Sequence, residues 1–196
     1  MLVVGHISLG YLLGKIIAKG KDIPLNIPAI WAVSLLPDVD FYIPGVRHMG
    51  PTHSIVFSLI VFTPIIMFKG WRILPYFLGY ISHTIFGDLI TNRGIMLFWP
   101  ISSRLVYLKT PINYVLVYRI YYELFFFALF LIVFYISRDY FRVRHENSAK
   151  LLLVIPLTAV VLPLFFDNPI KIPRSLVLPH IIYLGIIIYS IFPTRS

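Results

Sequence analysis

Four of the six histidines and three of the eight acidic residues form a set at the ends of apolar runs: His6, Asp38, Asp40, His48, His53, His83 and Asp88. Imidazoles and carboxylates in a chain without a single cysteine suit Zn²⁺, Mn²⁺ or Fe²⁺ rather than a soft-metal site. Asp38 and Asp40 stand two apart in a turn broken by Pro37, so they can reach one centre or bridge two. The set exceeds the four ligands of a closed zinc site. A two-metal hydrolytic centre is therefore open to it, in which one ion activates water and both steady a phosphoryl group. An Asp near the middle of a bilayer costs roughly 2.5–3.5 kcal/mol on insertion scales, so such residues call for a partner or a use.

Each member also has a plainer reading. His6 alone could be a satisfied polar group at a helix end, Asp38 a turn cap, and His48, beside Arg47, a loop residue. His145 reads as solvated in a charged linker, and His180 as hydrogen-bonded packing. Glu123 follows Arg119 by four positions, the spacing of an i, i+4 ion pair. That pair is the plain reading; inside an apolar run Glu123 could also serve as ligand or general base.

The elements that must position these groups are set by an unusual composition. Of 196 residues, 59% are hydrophobic and 13% charged, about half the charge of a typical soluble domain. Mean hydropathy is +0.86. A soluble domain of this size needs more polar side chains to cover itself, so the fitting solvent is lipid. The same hydrophobicity excludes disorder, and the absence of Cys excludes disulfide scaffolds. The N-terminus lacks a basic n-region and a small-x-small cleavage site, and reads as retained rather than as a signal peptide. The net charge of +9 fits topology signals and lipid headgroups better than nucleic acid, since no basic run or nucleic-acid motif occurs.

Spanning candidates of about 20 apolar residues lie at 2–18, 51–68, 73–90, 115–136, 151–166 and 176–192, with a shorter piece at 28–36. The expected fold is an all-α, polytopic transmembrane bundle of about five to six spans, one integral-membrane domain over 1–196. Segments 51–68 and 73–90 are close enough to form an antiparallel hairpin. The stretch 94–101 is short, aromatic and closed by Pro100, which suits the membrane interface. Prolines inside the spans are tolerated where neighbouring helices satisfy the freed carbonyls, and Gly10 with Gly14 forms a GxxxG contact. Tracing alternate crossings brings His6, Asp38, Asp40, His53, His83 and Asp88 to one membrane face. That topology predicts one site.

The blocks LLPDVD, HMGPTHS and GYISHTIFGDLITNRGIMLFWPIS resemble the YdjM-type family of membrane-bound metal-dependent hydrolases, also described as inner-membrane-associated and LexA-binding. The resemblance covers roughly 1–102, with 103–196 as additional transmembrane helices. It implies metal ligands at His6, Asp38, Asp40, His48, His53, His83 and Asp88, with Thr52, Ser54 and Thr91 in support. Ser82, Gly94 and Pro100 complete the pattern. Two departures stand out. The pattern's Arg is Met49 here, which removes a guanidinium that could contact phosphate. His83 and Asp88 are five apart where the family pattern has four, which turns Asp88 by about 140° from His83 on an α-helix. Either a π-bulge near Gly87 restores the alignment, or Asp88 leaves the ligand set.

The resulting expectation is a membrane-bound, metal-dependent hydrolase holding one or two divalent ions, Zn foremost. It would cleave phosphoesters of a lipid or interfacial substrate, with Glu123 or Asp40 in a catalytic role. The alternatives are a non-catalytic membrane protein with a structural metal that binds a protein partner, and a transporter. Ten of the 17 basic residues fall on the face opposite the site, Lys15 and Arg195 among them. The positive-inside rule then puts the site outside the cytoplasm.

Overall fold

The computed structural model describes residues 1–91, 94–145 and 147–192, without the side chains of 113–114, 145 and 147–149. Among the described residues the chain is helical apart from one isolated antiparallel bridge, Ile95 to Val106. The helices are α1 (Val3–Gly20), α2 (Ile27–Leu35), α3 (Ile55–Lys69), α4 (Leu74–Ser82), α5 (Pro111–Tyr114), α6 (Leu116–Ile136), α7 (Asp139–His145), α8 (Val154–Phe166) and α9 (Arg174–Ile191). Two 3₁₀ turns, Leu36–Tyr42 and Pro51–His53, follow α2, and a π-helical turn, His83–Leu89, continues α4.

Three helical stretches are long and apolar enough to cross a membrane: Ile55–Leu89, Leu116–Ile136 and Arg174–Ile191; Lys150–Phe166 is apolar but shorter. The first of these folds back on itself. Gly70 adopts φ +68° between α3 and α4, a conformation that costs glycine nothing. The two arms then pack antiparallel, with Phe62 against Phe77 and Tyr80. The Tyr80 hydroxyl donates to the Thr52 carbonyl at 2.5 Å. The hairpin expected from the short 69–72 linker is present.

Segment 2–18 forms α1 as expected, but most of its surroundings are protein. Buried residues run from Val4 to Leu12, with Gly14 and Ala18 beyond, and α2, α4 and α6 pack around it. Gly10 and Gly14 allow that approach. A Cβ on Gly10 would collide with Ser34 Oγ of α2, and one on Gly14 would lie 2.9 Å from Ile30 Cδ1 and 3.4 Å from the Pro75 carbonyl of α4. Close backbone contact at small residues is how helices associate without a hydrophobic drive between them.

The solvent of the bundle is legible in α6. Glu123, Phe127, Phe130 and Phe134 are buried at three- and four-residue spacing, while Tyr121, Phe125, Ile132 and Tyr135 are exposed. Its outer face is as apolar as its inner one, which suits lipid rather than water. At the end of α1 away from His6, Asp139 is fully buried and accepts from the Tyr11 hydroxyl at 2.6 Å and from Lys15 Nζ at 2.5 Å. Lys15, partly buried, is thus paired within the bundle. Arg195 lies outside the described residues, as does the side chain of His145.

Candidate metal centre

The local sequence explains how each ligand is presented. Pro37 breaks α2 into the Leu36–Tyr42 turn that carries Asp38 and Asp40. The Ser54 hydroxyl accepts from the Phe57 amide at 3.2 Å and so caps α3. The Ser54 hydroxyl also donates to the carbonyl of Trp99 at 2.6 Å, and the Ile55 amide donates to that of Leu97 at 3.0 Å. The Met96 amide donates to the Met49 carbonyl at 3.0 Å. The aromatic stretch 94–101 is therefore a strap that fixes the His48–His53 block, with Ile95 and Leu97 buried and Ile101 exposed at the surface.

Four of the expected ligands meet. One ligand atom each from Asp38, His53, His83 and Asp88 lies within 4.8 Å of all the others. His83 Nε2 is 3.1 Å from Asp88 Oδ2 and 3.3 Å from Asp38 Oδ1; His53 Nε2 is 3.2 Å and 3.5 Å from the same two atoms. Asp88 remains in the set because the π-helical turn His83–Leu89 supplies the alignment that five-residue spacing would otherwise lose.

The tautomers of both histidines are fixed from behind. His83 Nδ1 donates to the Ser34 carbonyl at 2.7 Å, and no motif in the sequence marks Ser34. His53 Nδ1 faces Thr52 Oγ1 and Asp40 Oδ2, each at 3.2 Å. With the proton on Nδ1, each Nε2 turns a lone pair toward two carboxylates. His53 Nε2, His83 Nε2 and Asp88 Oδ2 are buried and have no hydrogen-bond partner among the described residues. Acceptors converging on acceptors need a cation or protons between them. That orphaned, all-acceptor donor set fits a divalent transition ion.

Asp40 belongs to a second tier. It accepts from Thr52 Oγ1 at 2.9 Å and pairs with His48 Nδ1 at 2.8 Å. Asp40, His48 and His53 form a second group with ligand atoms within 4.8 Å of one another, so His53 is common to both. His6 lies at the edge of the first group: its ring stacks on His83 at 3.6 Å, and its Nε2 is 3.4 Å from Asp88 Oδ1. Thr91 Oγ1 donates to the Gly87 carbonyl at 2.8 Å and accepts from the Met1 amino group at 2.6 Å. Glu123 joins neither group; its Oε1 accepts from the Leu2 amide at 2.7 Å, at the start of α1. Its Oε2 is buried without a hydrogen-bond partner among the described residues.

The electrostatics of the groups outside the spans agree with a cation-seeking site. Burial opposes charge on Asp38, yet the His83 imidazole, with those of His53 and His6 close by, holds its carboxyl well below the usual range. Burial also opposes charge on Asp40, but His48 and His53 bring it down to about 2. Burial would lower His53, whereas Asp38, Asp40 and Asp88 together raise it well above the ordinary histidine value.

Asp139 was not legible as part of any polar centre, since it reads as one charge in a charged linker. Among the comparisons with known proteins, residues 1–170 match the family described as YdjM inner membrane protein. No curated protein and no solved structure matches the chain.

Proposed function

We propose that this chain, which belongs to the YdjM inner membrane protein family, is a metal-dependent hydrolase acting on a phosphoester carried by a lipid or held at the membrane interface. The observation that carries the reading is the convergence of His53 Nε2 and His83 Nε2 with the Asp38 and Asp88 carboxylates, in which the two Nε2 atoms and Asp88 Oδ2 are buried and have no hydrogen-bond partner among the described residues. These four residues would hold the ion. A divalent ion bound there supplies Lewis acidity, lowering the pKa of water and stabilising charge on a phosphoryl oxygen.

The chain's own residues do the rest. Ser34 and Asp40 orient the two imidazoles, and His48 and Thr52 hold Asp40 in turn. Asp38 is the member of the four with an exposed edge, 23% against 1% or less for the others, so substrate approaches from its side. Glu123, with Oε1 held by the Leu2 amide and Oε2 unpartnered, is the proton acceptor. Asp40 acts through His53 and is a positioning residue. An exposed edge at the centre favours turnover over a closed structural site. Three apolar helices long enough to span support a multi-pass arrangement, and the lean of basic residues in the sequence toward the opposite end supports an extracytoplasmic centre.

The test uses detergent-purified protein, wild type and His83→Ala. Expected are one or two equivalents of a transition metal in wild type by mass spectrometry, lost in the variant. Hydrolysis of phosphoester or phospholipid substrates should be abolished by chelation and by the substitution. Metal-free wild type after reconstitution, or hydrolysis that survives His83→Ala, would end this reading.

A further inference from the structure

A cleft of about 250 Å³ opens between the Leu36–Tyr42 turn, the start of α1, and helices α8 and α9. It exceeds the roughly 150 Å³ engineered cavity that accepts benzene. Asp38 is the one residue common to this cleft and the four-residue metal group. The exposed edge of the centre and the cleft therefore share a wall.

The shape of the cleft is set by α8. Val154, Ile155, Thr158, Ala159 and Pro163 line it, a spacing that draws one continuous stripe along a helix. From Val154 to Pro163 that stripe runs about 14 Å at 1.5 Å per residue, close to half of the roughly 30 Å hydrocarbon core of a bilayer. The walls are almost wholly apolar. Beside Asp38, Tyr42 and Thr158, the polar residue of the lining is His180, buried in α9, whose Nδ1 donates to the Leu176 carbonyl at 2.7 Å. Its Nε2 is then an acceptor, and it has no partner among the described residues.

We propose that this cleft binds one acyl chain of a membrane glycerophospholipid and brings that lipid's phosphoester to Asp38. The proposal deepens the hydrolase reading by naming its substrate class, and rests on it for what happens at the phosphoester. The residues that select the chain lie on α8 and α9. His180 is beyond the 1–170 match to the family, so this selectivity belongs in part to the C-terminal helices.

The full chain is reconstituted in phosphatidylglycerol vesicles doped with a phosphatidylglycerol that carries a diazirine in its acyl chain. After irradiation, adducts are mapped by peptide mass spectrometry. Expected are adducts concentrated on residues 36–42 and 154–163, reduced about tenfold by Ala159→Phe or Thr158→Trp, which fill the cleft; such a change corresponds to about 1.4 kcal/mol of binding. Labelling of the outer face of α6 should stay unchanged. Thr158 is exposed, so its substitution tolerates bulk even where Ala159→Phe disturbs the fold. Adducts no denser in the cleft than on α6, or unaltered by both substitutions, would overturn the proposal. Labelling needs neither metal nor turnover. A labelled cleft in an inactive, metal-free protein overturns the hydrolase reading alone, and an active enzyme with an unlabelled cleft overturns the lipid site alone.

Discussion

His83 Nε2 and Asp88 Oδ2 stand 3.1 Å apart although five residues separate them along the chain. An α-helix would turn them about 140° away from each other. The π-helical turn His83–Leu89 removes that offset, and widened turns of this kind recur at functional sites. The turn also brings Gly87 under the His6 ring, where a Cβ would lie 2.5 Å from Cε1 and 2.7 Å from Nδ1. One irregular turn thus serves two ligand candidates.

Gly87→Ala tests that arrangement. The added methyl must displace His6, and with it the ring stacked on His83. Overpacking of this sort costs about 1–3 kcal/mol. The expected result is a lower unfolding temperature in detergent together with reduced metal occupancy. Unchanged values for both would mean that His6 moves freely and contributes nothing to the centre.

Asp40→Asn separates orientation from ligation. Asp40 touches His53 at Nδ1, away from the inner group. Loss of such a supporting carboxylate weakens metal binding about 10–100-fold, whereas His53→Ala removes a ligand and should abolish binding. Competition with a chelator of known affinity measures both. Equal losses in the two variants would make Asp40 a ligand in its own right.

Glu123→Gln keeps an amide oxygen for the Leu2 amide but loses the carboxylate. Removing a proton-transfer group lowers turnover by about 10²–10⁴-fold, so kcat should fall by that order while metal content stays at the wild-type level. A drop in metal content with no separate loss of turnover per bound ion would reduce Glu123 to an anchor for α1.

At the opposite end of the bundle, Asp139→Ala leaves Lys15 Nζ and the Tyr11 hydroxyl without their shared acceptor. Breaking a buried pair from one side costs about 3 kcal/mol. The expected signature is a marked fall in unfolding temperature with metal stoichiometry per folded molecule unchanged. A loss of metal alongside it would show that α1 couples the two ends.

Much of this was readable in the chain. Apolar run lengths give helices, because in lipid every backbone polar group must be satisfied within the segment. The short 69–72 linker gives the α3–α4 hairpin, and the GxxxG of α1 gives its close packing. The ligand types follow from where histidines and aspartates interrupt apolar sequence, since such interruptions are costly. Even the anomaly at Asp88 was visible as a one-residue offset, with a π-bulge as one of two ways out.

What the chain by itself could not decide was which atom of each residue faces the centre. Asp38 and Asp40 are near-equivalent as sequence, yet one side chain reaches the inner group and the other the far nitrogen of His53. Only the tertiary placement of the 3₁₀ turn against the Pro51–His53 turn separates them. Glu123 is likewise assigned by where α1 begins, not by its distance from Arg119, because the Leu2 amide it accepts from is 121 residues away. Ser34 entered through a backbone carbonyl, which has no side-chain signature. Sequence determines which groups are available and how each segment periodically presents them; their tautomers, tiers and partners depend on contacts between segments far apart in the chain, and those exist only once the bundle has packed.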